Sequence, residues 1–139
     1  MRLVLDTNVL VSAFLWEGTP DKLIELAGEW EIRLFTSPAL LSELDEVLHR
    51  KKFAKPVQAT GFTAAEMVKQ YRHLAYRVTA RQFTRQISRD ADDDAVLACA
   101  LAARVELIVS GDRDLLTLKS FRNIPIVTAA EAVRIVTTS

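Results

Sequence analysis

Short apolar runs alternate with helical patterns along this chain, and this alternation constrains the fold more than any other feature. The run Arg2–Leu5 predicts a buried strand, and Asn8–Trp16 follows it with apolar residues at helical spacing. Ile32–Phe35 and Glu106–Ser110 predict further strands, each next to a helical segment. Such alternation is typical of a parallel sheet with helices on both faces. We therefore expect an α/β fold.

Local signals mark where the helices begin. Thr19-Pro20 and Ser37-Pro38 each combine an N-cap residue with a proline at the first helical position. Thr63 with Glu66, and Thr128 with Glu131, have the spacing of capping boxes. The other elements that the pattern predicts are a connection over Lys51–Phe62, a short strand at Arg77–Ala80, a helix over Asp93–Ala103, a helical turn at Asp114–Leu118 and a last strand at Pro125–Val127.

The composition fits one domain over residues 1–139. Half of the 139 residues are hydrophobic and 26% are charged, which is enough to bury a core. The formal net charge is zero, so the charge of the whole molecule does not indicate a nucleic-acid partner. No apolar run approaches the ~20 residues of a membrane span. The single cysteine, Cys99, cannot form an internal disulfide, and we expect a cytoplasmic protein without membrane contact.

Acidic residues stand where predicted strands end. Asp6 follows the first strand, and Asp112 follows Ser110-Gly111 at the end of a later one, where the glycine permits a sharp turn. The carboxyl ends of strands form the ligand crevice of open α/β sheets. Carboxylates gathered there repel one another, and Mg²⁺ or Mn²⁺ is a natural counter-charge because these ions prefer oxygen ligands. The pattern indicates a metal-dependent hydrolase that acts on phosphate esters.

Two further acidic segments lie on predicted helices. Glu43 adjoins the apolar stripe of its helix, so it lies next to the buried face. The run Asp90–Asp94 is the densest acidic segment, and Asp90 or Asp92 would cap the helix that follows. Asp93 shares the core-directed face of that helix, and Asp94 is the alternative at the adjacent position. Each acid also has a purely structural interpretation, as a helix cap or as half of a salt bridge.

A basic block without acids separates Tyr71 from the acidic run. It contains Arg72, Arg77, Arg81, Arg85 and Arg89. Along the rim of an acidic site, these cations would bind the phosphate backbone of a nucleic acid. Tyr71, Tyr76 and Phe83 could stack on its bases. The alternative is a solvated face with salt bridges.

Taken together, the four acidic motifs resemble the PIN-domain family. The resemblance is strongest to its compact bacterial and archaeal members, which are identified as toxins of toxin–antitoxin pairs (VapC-like). The segments that carry it are Leu5–Leu10, Ser37–Leu48, Asp90–Leu101 and Leu107–Leu116, in that order along nearly the whole chain. Ser110 stands where many relatives have threonine, so the hydroxyl is kept.

The resemblance implies a three-layer α/β/α sandwich with a mostly parallel central sheet, and a ribonuclease that uses Mg²⁺ or Mn²⁺. Its catalytic and metal-binding acids would be Asp6, Glu43, Asp93 and Asp112, supported by Asn8, Ser110, Asp94 and Asp114. Asp6 would be the central ligand, Asp93 and Glu43 would hold the ion or its waters, and Asp112 would complete the site or orient the nucleophile. The substrate would be RNA, bound by Arg77, Arg81 and Arg85. A cognate antitoxin and a homodimer would be the protein partners.

Two other functions are compatible with such a sequence. The first is a non-catalytic PIN-fold module that binds nucleic acid or a protein partner. The second is a phosphatase with an aspartate nucleophile, although such enzymes generally have a second aspartate two positions later, where this chain has Asn8. The sequence has no His-Glu-x-x-His motif, no Gly-x-Ser-x-Gly elbow and no P-loop, so the corresponding chemistries are not indicated.

Overall fold

The computed structural model describes residues 1–83, 85, 87 and 91–138, apart from the side chains of residues 91 and 92. Within these residues there are six strands: β1 (Arg2–Leu5), β2 (Arg33–Thr36), β3 (Tyr76–Arg77), β4 (Leu107–Val109), β5 (Ser120–Phe121) and β6 (Ile124–Val127). The helices are α1 (Thr7–Leu15), α2 (Thr19–Gly28), α3 (Pro38–Leu48), α4 (Ala54–Ala59), α5 (Ala64–Leu74), α6 (Ala91–Ala103), α7 (Arg113–Leu118) and α8 (Ala129–Thr138), with a 3₁₀ turn at Lys51–Phe53.

The strands form one sheet in the order β3-β2-β1-β4-β6-β5. Five strands are parallel, and only the edge strand β5 runs antiparallel, against β6. In the centre, Val4 of β1 lies opposite Phe35 of β2 and Ile108 of β4. This register places the ends of β1 and β4 side by side. The expectation of a mostly parallel α/β sheet is confirmed.

Alternate residues of the central strands supply two separate cores. Leu3 and Leu5 of β1 belong to a large apolar cluster with residues from α1, α2, α3, α5 and α8. Val4, between them, belongs to a second cluster that is built mainly on α6. Side chains of a strand point alternately to opposite faces, so these clusters lie on opposite sides of the sheet. The result is the three-layer α/β/α arrangement that we expected.

The predicted helix starts are mostly confirmed. The Ser37 Oγ atom accepts a hydrogen bond from the N–H of Leu40 at the start of α3. Thr63 and Glu66 form a complete capping box at the start of α5. The backbone N–H of Thr63 donates to the Glu66 carboxylate, and hydrogen bonding with Thr63 lowers the pKa of Glu66. The helix α2, in contrast, begins at Thr19 itself, with Gly18 at the capping position.

Three segments differ from the sequence-based expectations. Residues 51–62 are not one connection, because they contain the 3₁₀ turn and the short helix α4. Pro56 is tolerated in α4 because it lies in the first turn, where a backbone N–H has no helical partner. The strand β3 covers Tyr76–Arg77 and not Arg77–Ala80. The two-residue strand β5 was not expected, since so short an edge strand leaves no periodic pattern in the sequence.

Candidate metal centre

Three aspartates meet at the carboxyl end of the central strands. Asp6 directly follows β1, Asp112 follows β4 by three residues, and Asp93 lies in the first turn of α6. One carboxylate oxygen from each lies within 4.8 Å of the corresponding oxygens of the other two. Asp6 and Asp93 are buried, at 5% and 3% exposure, while Asp112 is half-buried. The group is therefore open to solvent on the side of Asp112.

The hydroxyl of Ser110 links two of these aspartates. It donates a hydrogen bond to Asp6 Oδ2 at 2.7 Å, and it accepts one from the backbone N–H of Asp112 at 2.9 Å. The backbone N–H of Asp6 donates in turn to the carbonyl of Val109, at 2.9 Å. Ser110 is fully buried, so the position of its hydroxyl is set by the packing around it. The ends of β1 and β4 are thereby held together at the site.

Asp6 and Asp112 also cap helices. Asp6 Oδ1 accepts from the N–H of Thr7 at the start of α1, at 2.7 Å. Asp112 Oδ1 accepts from the N–H of Asp114 at the start of α7, also at 2.7 Å. The capping interpretation and the site interpretation are thus compatible. A carboxylate has about four lone-pair positions, so accepting a cap bond does not by itself prevent it from binding a ligand.

The other acids proposed from the sequence lie outside this group of three. Glu43 is half-buried on α3 and does not belong to it. Asp94 is half-buried beside Asp93, but its Oδ2 atom accepts a hydrogen bond from the backbone N–H of Ile87 at 2.7 Å. Asp94 therefore holds Ile87 against α6. Asp90 and the side chain of Asp92 lie outside the described part of the chain, so the predicted cap of α6 does too.

The remaining supporting residues are at the margin of the site. Asn8 is exposed on the first turn of α1, and Asp114 is exposed on the first turn of α7. Gly111 lies between Ser110 and Asp112, but its φ angle is not in the left-handed region, and an added Cβ atom would meet nothing within 4 Å. The turn at residue 111 consequently does not require glycine, contrary to our expectation.

The three aspartates fit a hard divalent cation. All of the donors are carboxylate oxygens, which Mg²⁺ and Mn²⁺ prefer. Two ligands on opposite sides of an ion at about 2.1 Å are about 4.2 Å apart, so a spacing of up to 4.8 Å needs only a small contraction around one ion. The solvent-facing side next to Asp112 would leave room for the waters that Mg²⁺ retains.

The described part of the basic block begins near β3, the edge strand that β2 separates from β1. Arg77 ends β3, and Arg81 and Arg85 follow it in the segment that leads toward α6; all three are exposed. Arg89 lies outside the described residues. Tyr71 is 1% exposed within the core, so our expectation that it could stack on a base is wrong. Phe83 is half-buried and remains available for that role.

Cys99 is a core residue and not a nucleophile. It is fully buried in the cluster built on α6, and this burial raises the pKa of its thiol to about 12. A hydrogen bond with Ser37 opposes the shift only in part. The thiol is therefore protonated at neutral pH, and it takes no part in the chemistry of the site.

Comparison with known proteins agrees with this geometry. The family model of the PIN domain matches residues 2–114, and the chain therefore belongs to the PIN-domain family. It is 26% identical over 120 residues to "Uncharacterized protein MJ1680" of Methanocaldococcus jannaschii. The aligned region covers 86% of this chain and 76% of that protein. The resemblance inferred from the four acidic motifs is confirmed at the level of the family.

The fold is also similar to that of a chain in a solved crystal structure. The structure is VapBC2 from Rickettsia felis, described as bound to a DNA fragment from its promoter. The TM-score is 0.61 over 92% of this chain and 98% of that chain, with 16% sequence identity. A VapC-like PIN fold is thereby confirmed. Within the described residues, none of the helices combines the length and the apolar character that crossing a bilayer requires.

Proposed function

We propose that this chain is an endoribonuclease that depends on Mg²⁺ or Mn²⁺ and that it is the toxin of a toxin–antitoxin pair. The observation that carries the proposal is the meeting of Asp6, Asp93 and Asp112 within 4.8 Å at the ends of two adjacent strands. Three carboxylates at this spacing repel one another, and a divalent cation is the counter-charge that would offset the repulsion. Membership of the PIN-domain family supports a nuclease.

Asp6, Asp93 and Asp112 would hold the ion directly. When bound, such an ion polarises a phosphate and lowers the pKa of a bound water toward neutrality, as the hydrolysis of a phosphodiester requires. Glu43, which is outside the group of three, would reach the ion through water. Ser110 orients Asp6 through its hydroxyl and Asp112 through that residue's backbone N–H, so the ligands are positioned before any ion arrives.

RNA is the proposed substrate because the acids are accompanied by exposed cations along the same edge. Arg77, Arg81 and Arg85 would neutralise phosphates of the strand on either side of the reacting one. The antitoxin is proposed from the resemblance to VapC-like toxins and from the fold shared with a chain of the VapBC2 complex. A homodimer and a cytoplasmic location are proposed by the same analogy.

Cleavage of mixed cellular RNA tests the proposal. We expect fragments with Mg²⁺ or Mn²⁺, none with a chelator, and none from Asp6→Asn in either condition. Asp21→Asn is the matched control, because it makes the same chemical change in the first turn of α2, outside the three-aspartate group. Single-stranded DNA of the same sequence should be cut more slowly. RNA binding without any metal-dependent cleavage would indicate the non-catalytic module. Phosphorylation of Asp6 by a phosphomonoester would indicate the phosphatase.

A further inference from the structure

A cavity of about 480 Å³ lies at the carboxyl edge of the sheet, the edge that also carries the three-aspartate group. Its lining comes from the N-terminal end of α3, the first turns of α6, residues 79–83 and residue 85. Asp94 forms part of its wall, and Asp93, the preceding residue of α6, belongs to the three-aspartate group. The volume falls within the range of about 300–1,000 Å³ that is usual for small-molecule sites.

The walls of this cavity combine small apolar residues with one aromatic ring. The lining includes Ala39 of α3, Ala95 and Ala98 of α6, and the ring of Phe83. Alanine side chains leave a slot between the two helices. A planar group that entered the slot would lie against the Phe83 ring, and such stacking accepts any of the four bases because each has a π-face.

Two residues that are not among those lining this cavity contact the Phe83 ring. Phe121 contacts it edge-to-face, with ring centroids 5.8 Å apart. The guanidinium of Arg122 lies 5.7 Å from its centroid, and Arg122 and Phe83 both line a neighbouring cavity. These contacts orient the ring, which also forms part of the wall of the 480 Å³ cavity. A stacking surface that is fixed in advance costs little conformational entropy when a ligand binds.

Polar groups at the mouth of the cavity suit a phosphate and the edge of a base. Arg81 and Arg85 are exposed and line the cavity, and their guanidinium groups match a phosphate through two parallel hydrogen bonds. Gln82 lies between them in the sequence and offers both a donor and an acceptor. Asp94 contributes a negative charge, but its Oδ2 atom accepts a hydrogen bond from the backbone N–H of Ile87.

We propose that this cavity binds one unpaired nucleotide of the RNA, next to the phosphodiester that is cut. Its base would lie against Phe83 and its phosphate on Arg81 and Arg85. This proposal rests on the proposed function. An acidic peptide fits less well, because its carboxylates could occupy Arg81 and Arg85 but would leave the Phe83 ring without a planar partner. A base inside an RNA duplex cannot enter such a slot, so the substrate is single-stranded at this nucleotide.

Binding of a short single-stranded RNA and of variants with one base removed tests the proposal. Dissociation constants are measured without divalent ions, so that the RNA stays intact, and each nucleotide is made abasic in turn. We expect one position at which loss of the base weakens binding about five- to 150-fold. In Phe83→Ala that dependence should disappear, and Phe83→Trp should restore it. With Mg²⁺ present, cleavage by the wild-type protein should fall at the bond adjacent to that position.

The controls separate this proposal from the nuclease itself. Phe62→Ala removes an exposed phenylalanine that lines a different cavity. In this variant, loss of each base should change the dissociation constant as it does in the wild-type protein. Gln82→Ala alters the exposed rim without touching the Phe83–Phe121 contact, so a folded variant is available if Phe83→Ala unfolds; it should weaken the dependence on that base. If the protein cleaves RNA but binds every abasic RNA as tightly as the intact one, the cavity proposal alone is overturned. A profile that depends on Phe83, without any cleavage, would overturn the nuclease and keep the cavity.

Discussion

The carboxyl edge of the sheet has an acidic half and a basic half. The ends of β1 and β4 carry Asp6 and Asp112, and α6 adds Asp93. Beyond β2, the end of β3 carries Arg77, and Arg81 and Arg85 follow it and line a cavity with residues of α6. The chain as a whole has no net charge, and this balance conceals a strong local separation. The composition of a chain is therefore a poor guide to what its surface can bind.

The two halves also differ in how their side chains are held. Asp6 and Asp93 are buried, and Asp6 is fixed by Ser110 and by the N–H of Thr7. The three arginines are exposed, with their charged ends in solvent. Buried groups that are fixed in position suit chemistry, in which small displacements are costly. Exposed cations suit a polymer that is held along its backbone, whatever its sequence.

The largest expected effect separates Asp93 from Asp94. We expect Asp93→Asn to reduce kcat for RNA cleavage by about 10²–10³-fold, the usual loss when a central electrostatic contact of an active site is removed. Asp94→Asn should retain most of kcat, because Asp94 bonds Ile87 and lies outside the group of three. Circular dichroism checks that both variants fold. The opposite order of the two activities would mean that Asp94 is the ligand.

A smaller loss is expected from Ser110→Ala. Groups that orient a metal ligand typically contribute about 10–100-fold to affinity or activity, and Ser110 is in contact with both Asp6 and Asp112. The titration of Mn²⁺ and the rate of cleavage measure this loss. Ser110→Thr keeps the hydroxyl and should stay near the wild-type values. Equal losses in both variants would show that volume at this buried position matters more than the hydrogen bond.

Metal binding should stabilise the fold through the acidic half alone. At one hundred times the dissociation constant, an ion that binds only the folded state adds about 2.7 kcal/mol to the free energy of unfolding. Thermal melts with increasing Mn²⁺ should show this as a rising Tm. The rise should nearly vanish in Asp6→Asn and persist in Asp21→Asn. A wild-type Tm that does not respond to saturating Mn²⁺ would count against the metal site.

The smallest effect concerns the basic half. Replacing Arg77, Arg81 and Arg85 by glutamine should weaken RNA binding and flatten its dependence on salt. For a single strand, each lost phosphate contact reduces the slope by about 0.7, or about two in total. At saturating RNA, kcat should survive, since the proposed role of these residues is to bind the RNA backbone and not the metal. The matched control replaces Arg50, Arg104 and Arg134, which are equally exposed and remove the same charge. If RNA affinity depended on salt equally in the two triple variants, the basic half would have no specific role in RNA binding.

Much of the fold follows from local patterns in the chain. The apolar runs predicted the central strands, and the capping signals at Ser37 and Thr63 predicted the starts of α3 and α5. The four acidic motifs identified the family correctly. These features depend on residues close in sequence, whose steric and hydrogen-bonding preferences act over one or two turns. The short strand β5 and the helix α4 were missed because their patterns are too brief.

The sequence by itself determined which acids are available and which strand or helix carries each one. Only the tertiary structure decided that Asp6, Asp93 and Asp112 meet while Glu43 lies outside their group. It also decided that Ser110 contacts Asp6, which lies 104 positions away in the chain, and that Phe83 lines a cavity while Tyr71 is buried. Contacts of this kind depend on strand order and on helix packing across the sheet. Such distances are set by the whole fold, and spacing along the chain does not reveal them.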